Sequence, residues 1–220
     1  MRSDGLTLLL DCGSGVLSRL QGHIGLEELD AVVLSHYHWD HVADIGCLQY
    51  AARVQTELAR RRRPLAVYGH AESARFDDMS YLTYCRAYPV DDANPLHLGK
   101  LRLTFSRNVH PDPCFSMRLE NGERTLAYIS DTGYCDALEE TARDADLLLC
   151  EASLYDEYRG RIPGHLTAGE AGTIARRAGV GRLVLTHLPH FGRHRRLVEQ
   201  ARRRFEGPVE LAGPGKHWEL

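Results

Sequence analysis

The stretch Ala31-Val32-Val33-Leu34-Ser35-His36-Tyr37-His38-Trp39-Asp40-His41 decides how this chain reads. Its four leading apolar residues form a short buried run of the kind found in a core strand. Directly behind them, three imidazoles and a carboxylate (His36, His38, Asp40 and His41) fall within six residues. A loop of this kind turns two imidazoles toward one ion, and a carboxylate with a third imidazole toward another. Zinc takes such N and O ligands at about 2.0–2.2 Å. The plain alternative is a solvated polar loop, and with 12 histidines in 220 residues a lone one is usually structural. H-x-H-x-D-H behind an apolar strand is hard to obtain by chance, so the run reads as a metal-binding loop.

Reading outward from this loop, further donors follow other strand-like segments. His110 comes shortly after the alternating segment 101–105, Asp131 follows Thr125–Ile129 and Ser130, and His187 directly follows Leu183–Thr186. Donors at strand ends converge on one edge of a sheet. A carboxylate such as Asp131 can bridge two ions about 3.5–4 Å apart.

In this order, the histidine run followed by His110, Asp131 and His187 resembles the metallo-β-lactamase superfamily over nearly the whole chain. The resemblance implies an α/β fold, the αββα four-layer sandwich. It implies one metal site from His36, His38 and His110 and a second from Asp40, His41 and His187, with Asp131 bridging. The implied cofactors are two divalent ions, zinc first, with manganese or iron as substitutes. Members usually open with a further strand and a Gly-rich turn ahead of the stretch matching 6–15. That strand is expected to be missing here.

Two more residues point to a branch. Glu151, in Leu149-Cys150-Glu151-Ala152-Ser153, and His165, in Gly164-His165-Leu166-Thr167, resemble the glutamate and histidine motifs of the ribonuclease Z branch. There the pair helps protonate the leaving group in phosphodiester cleavage. Asp40, Glu151 and His165 are thus the candidate catalytic residues. A hydroxide generated at the ions attacks phosphorus, and an imidazole backed by a carboxylate protonates the departing alkoxide. In that role Glu151 only orients and polarises His165, so Glu151→Gln is expected to be milder than His165→Ala. Asp11 resembles an acidic position that buttresses the metal loop.

The tRNA-gripping arm of ribonuclease Z lies between the third histidine and the bridging aspartate. Here that interval is taken up by a hairpin around Asn121-Gly122, a pair suited to a type I′ turn. The expected partner is therefore a small phosphodiester or nucleotide. Nucleic acid and a homodimer are left open, and no membrane is expected. A lactone, thioester or β-lactam hydrolase on the same metals, ribonuclease Z itself, and a catalytically silent metal-binding module are the rival readings.

Segments 16–21, 43–60 (apolar at Ile45, Leu48, Ala52 and Leu58), 167–179 and 195–205 have helical character. Thr167-Ala168-Gly169-Glu170 forms a capping box. Segments Leu6–Leu10, 31–34, 65–68, 101–105, 114–119, Thr125–Ile129, 147–150, Leu183–Thr186 and 209–212 read as strands. No linker or repeat divides the chain, so 1–220 is expected to be one domain. Apolar residues make up 43% and the formal charge is -3, from 27 basic and 30 acidic residues, a balance that neither favours nor excludes nucleic acid. The six cysteines form no C-x-x-C pair and are read as reduced thiols of a cytoplasmic protein. No signal peptide is visible, and no apolar run approaches the roughly 20 residues of a membrane span. The arginine runs 60–63 and 202–204 read as solvated helix ends. Trp39 reads as wall packing, and His190 and His194 lie near enough to His187 to line a pocket.

Overall fold

The computed structural model describes residues 1–220. The chain forms two compact units, Met1–Asn94 and Pro95–Leu220. The first contains β1 (Arg2–Ser3), β2 (Leu6–Leu10), α1 (Val16–Leu20), β3 (Ala31–Val33), α2 (Trp39–Val42), α3 (Ile45–Glu57), β4 (Leu65–Gly69) and β5 (Cys85–Pro89). Its sheet runs in the order β1-β2-β3-β4-β5. Strands β2 to β5 are mutually parallel, and the two-residue β1 lies antiparallel on β2 at the edge where the sequence suggested a missing strand.

The apolar faces of α1 and α3 supply Leu17, Ile45, Leu48 and Ala52 to a core completed by Val32, Leu34, Leu65 and Val67. Each large side chain removed from water there contributes about 1.5–3 kcal/mol. α3 ends at Glu57, earlier than its apolar spacing suggested. Ala59 takes a left-handed φ of 57° that turns the chain away, and Leu58 is left exposed. The arginines that follow are not simply solvated. Arg61 is buried and donates to the carbonyls of Glu27, Leu29 and Arg63, while Arg60 pairs with Glu27. Burial also pushes the Arg61 pKa down.

The second unit contains β6 (Leu96–Leu98), β7 (Leu101–Arg107), β8 (Phe115–Glu120), β9 (Thr125–Ile129), α4 (Ala137–Ala142), β10 (Leu147–Glu151), α5 (Ala168–Ala178), β11 (Leu183–Thr186), α6 (Arg195–Arg202) and β12 (Val209–Leu211). Its sheet order is β12-β11-β10-β9-β8-β7-β6. Strands β9 to β12 are parallel, and β6 to β9 form an antiparallel meander. The capping box is present: Thr167 Oγ1 accepts from Glu170 N–H, and Glu170 accepts from Thr167 N–H. Leu138, Ala171, Ile174, Ala175, Leu197 and Ala201 cover one sheet face.

The β8–β9 hairpin forms around Asn121-Gly122, but with a four-residue loop in place of the expected type I′ turn. Glu120 pairs with Thr125, and only Gly122 has a positive φ. Asn121 Oδ1 instead accepts the N–H groups of Glu123 and Arg124, an Asx-type closure. The hairpin fills the chain between His110 and Asp131.

Parallel strands end on a common sheet edge, and ligands gather outside the carboxyl ends of such strands. In the second unit, Ile129 pairs with Cys150 and Cys150 with Leu185. Asp131, Glu151 and His187 therefore leave three adjacent strands within two residues of the same level. In the first unit, Asp11 and Ser35 similarly leave the paired ends of β2 and β3.

Candidate metal centre

The first unit brings its four candidate ligands together. The His36 ring lies 4.7 Å from that of His38 and 4.2 Å from that of His41, and Asp40 Oδ2 is 3.7 Å from His41 Nε2. Beneath them sits Asp11, buried and held at a φ of 57°. Its Oδ1 accepts from Ser35 N–H at 2.7 Å. Its Oδ2 accepts from Ser35 Oγ–H at 2.9 Å and from His41 Nδ1–H at 2.8 Å. With its proton committed to Asp11, Ser35 Oγ accepts from His36 Nδ1–H at 3.0 Å. The loop is also clamped by its backbone: Cys12 N–H donates to the His41 carbonyl and Asp44 N–H to the Cys12 carbonyl. A Cβ at Gly13 would overlap the carbonyl oxygen of Asp40, so the turn after β2 needs glycine at that contact. Cys12 lies behind the loop, its thiol pushed up to about 12 by burial and the nearby Asp44 and Asp11.

The second unit repeats the device. Glu151 is fully buried and accepts backbone N–H groups from Thr132 (3.1 Å) and Leu166 (3.0 Å) on Oε1 and from Ser153 (3.0 Å) on Oε2. Ser153 Oγ–H donates to Oε2 at 2.7 Å, and Ser153 Oγ itself accepts from His187 Nδ1–H at 2.6 Å. His165 Nδ1 lies 3.3 Å from Glu151 Oε1 and 3.3 Å from Ser153 Oγ. Each unit thus has a buried carboxylate that holds one imidazole directly and a second through a serine. Glu151 does more than the sequence suggested, because it ties together the loops that carry Asp131, Ser153 and His165.

The remaining residues join this cluster. Asp131 Oδ1 is 3.5 Å from His187 Nδ1, and its Oδ2 is 4.0 Å from His165 Nδ1. The His165 ring stacks on His187 at 5.6 Å and meets His110 edge-on at 6.0 Å. His110 Nδ1–H donates to the Asp112 carbonyl at 2.9 Å. Asn108 donates to the Asp131 carbonyl and accepts from Ser116 Oγ–H, and Val109 N–H donates to Thr132 Oγ1, stitching the two loops. A Cβ at Gly164 would come 2.8 Å from both His110 Cδ2 and Pro111 Cδ, so glycine is what lets that loop lie against His110. His187 adopts a left-handed φ of 48°, a cost tolerated where the surroundings fix a functional side chain.

These networks test whether a metal fits. In His36, His41, His110 and His187 the Nδ1 atom is engaged by oxygen, which leaves Nε2 as the nitrogen that an ion would take. Metal-ligating histidines are held in this way, with an outer partner fixing tautomer and ring orientation. The donor set of imidazoles and carboxylates suits a divalent ion.

Sequence reasoning singled out Asp11 but not Ser35, Asn108, Ser116 or Ser153. Only the position of Ser153 two residues beyond Glu151 hinted at its role. The structure corrects one other reading. Trp39 is 68% exposed rather than packed in a wall. His190 is exposed, and His194 Nε2 is bonded to the Pro189 carbonyl.

The β-lactamase superfamily domain matches residues 7–188. The chain is 43% identical over 219 residues to the "Probable metallo-hydrolase YhfI" of Bacillus subtilis (strain 168), covering 99% of this chain and 90% of that protein. The crystal structure of the Bacillus subtilis YhfI metallo-β-lactamase fold protein superimposes with a TM-score of 0.96 at 42% identity, covering 99% and 89% of the two chains. A ribonuclease Z of Methanosarcina mazei is 29% identical over 246 residues, covering 84% of this chain and 78% of that protein. A diphosphatase of the PhnP family shares the fold, with a TM-score of 0.77 at 20% identity over 98% of this chain and 80% of that one. The chain belongs to the β-lactamase superfamily and has the metallo-β-lactamase fold of its metallo-hydrolases. No helix is long and apolar enough to cross a membrane.

Proposed function

We propose that this protein is a dinuclear phosphodiesterase acting on small or nucleotide phosphodiesters in the cytoplasm. The observation that carries this reading is the Glu151–His165 pair, with Nδ1 of His165 3.3 Å from a fully buried carboxylate oxygen. In this reading, His36, His38 and His110 would hold one ion and Asp40, His41 and His187 the other, with Asp131 as their common ligand. Zinc is the favoured metal. When bound, the ions lower the pKa of water and balance charge on phosphoryl oxygens.

The chain's own residues supply the rest. With Nδ1–H directed at Glu151 and Ser153, His165 carries its transferable proton on Nε2. The Glu151 carboxylate faces the ring on its Nδ1 side, and the ring can hand its Nε2 proton to a departing alkoxide. The likeness of this pair to the ribonuclease Z branch is what favours a phosphodiester over a lactone or β-lactam. The short His110–Asp131 interval, filled by the hairpin, favours small substrates over tRNA. The six free thiols, four of them buried, suit a reducing compartment.

A substrate panel tests this reading, using the zinc- or manganese-loaded protein on cyclic nucleotides, bis-nitrophenyl phosphate, a tRNA precursor, a lactone, a thioester and a β-lactam. Turnover led by the small phosphodiesters is expected. Preference for the ester or lactam set, or position-specific trimming of the tRNA 3′ trailer, would replace the reading.

A further inference from the structure

We propose that Trp39 and Arg75 form a stacking platform for the base of a nucleotide substrate, so that the phosphodiester cleaved is a nucleoside one. The inference rests on the phosphodiesterase reading and narrows its substrate class. Trp39 stands between His38 and Asp40, as the first residue of α2. Indole rings normally surrender most of their surface on folding. This one is 68% exposed although it sits in the loop that the Cys12 backbone clamps. The Arg75 guanidinium carbon lies 4.1 Å from the ring centroid, over one indole face. Arg75 is itself fixed, because its Nη1–H donates to the Tyr37 carbonyl at 3.2 Å. It forms no ion pair with any carboxylate. The Tyr37 backbone is in turn anchored by its side chain, whose hydroxyl donates to the His70 carbonyl at 2.7 Å.

This arrangement suits one ligand chemistry. A guanidinium over one face orients the indole without side-chain freedom and leaves the opposite face to water. A planar heteroaromatic ring stacks there with any base identity, because every base has a π-face. The unpaired cation adds attraction for phosphate at the same spot. Since Trp39 adjoins His38 and Asp40 in sequence, a base on the indole keeps its sugar phosphate within a few ångströms of the ligand loop. An ester without a base would leave the platform unused.

The test uses the metal-loaded full-length protein and has a binding arm and a turnover arm. Calorimetry compares adenosine 5′-monophosphate with ribose 5-phosphate. Kinetics compare adenosine 3′,5′-cyclic monophosphate with a base-free cyclic sugar phosphate. Trp39→Ala is expected to weaken adenosine 5′-monophosphate binding by about 5- to 150-fold, the worth of one base stack. The nucleotide-to-sugar preference should collapse in both arms, while Trp39→Phe retains most of it. Arg75→Gln should cut the preference less and lower the salt sensitivity of what remains, because one cation facing the phosphate is lost. An undiminished nucleotide preference in Trp39→Ala overturns the platform, as does an equal loss for both ligands. A Trp39→Ala protein that changes only its sedimentation behaviour would mark the ring as a contact between copies and overturn it too. The failures are separable. Trp39-dependent nucleotide binding without phosphodiester turnover sinks the phosphodiesterase reading alone, whereas phosphodiester turnover indifferent to Trp39 sinks only the platform.

Discussion

Replacing Glu151 by glutamine probes the second unit at its most connected point. The carboxylate accepts from Thr132 and Leu166 N–H on one oxygen and from Ser153 N–H and Oγ–H on the other. A glutamine must present an NH2 group on one side. On the Oε1 side it would confront two backbone N–H donors. On the Oε2 side Ser153 Oγ can rotate to accept, and one N–H is stranded. The cheaper orientation still loses one bond to a charged acceptor, worth about 1.5–3 kcal/mol, and demotes the remaining bonds to neutral ones of roughly half the strength. The total is about 3–5 kcal/mol, set against the roughly 5–15 kcal/mol by which a domain is stable. His165→Ala removes a partly exposed ring and should cost about 1 kcal/mol or less. Urea unfolding of both variants, with and without added zinc, measures the difference. This is an order of stability, and it stands beside the sequence-based expectation that Glu151→Gln costs less activity than His165→Ala. A Glu151→Gln protein within about 1 kcal/mol of the parent would refute the anchoring role and leave Glu151 as a polarising partner only.

Further outcomes follow from the same geometry. His165→Ala should retain its metals and slow alkyl phosphodiesters by about 10²–10⁴-fold, and nitrophenyl esters much less. Metal loss, or equal slowing of both substrates, would make His165 structural. Ser153→Ala should weaken metal retention against a chelator by about 10–100-fold, the usual effect of losing a ligand's outer partner. Ser153→Thr should restore it, and wild-type retention in the alanine variant would discount the serine relay. Burial raises the Cys12 and Cys85 thiols from 9.0 to about 12 and about 11. Below pH 9 both thiols are neutral in the folded and unfolded chains, so their contribution to stability is intact. Above it only the unfolded chain releases protons, and stability falls by up to about 1.4 kcal/mol per pH unit per thiol. Urea midpoints between pH 8 and 11 should show this decline, with a shallower slope in Cys12→Ala. An identical slope would locate the alkaline sensitivity elsewhere.

The sequence carried the fold class because its signals are local. Buried strands such as Leu183–Thr186 and the capped helix Ala168–Ala178 are written in contiguous residues, and their structural bounds agree closely with the pattern. Elements governed by distant partners were illegible. The edge strand β5 has only Cys85 buried, so it shows no alternation, and α4 is short and polar on its outer face. The end of α3 turns on the left-handed Ala59, which no periodicity announces.

The candidate site divides in the same way. The sequence alone determined its donors, since metal chemistry demands particular side chains and the H-x-H-x-D-H spacing is compact. Tertiary structure decided how those donors are held. Ser35 meets Asp11 across 24 positions, and Ser153 meets His187 across 34. A hydroxyl on one strand end becomes a relay only when folding sets a carboxylate on one side and an imidazole on the other. Tertiary structure likewise set Trp39 at the surface. An indole's burial depends on what packs over it, and its own neighbours in the chain do not specify that.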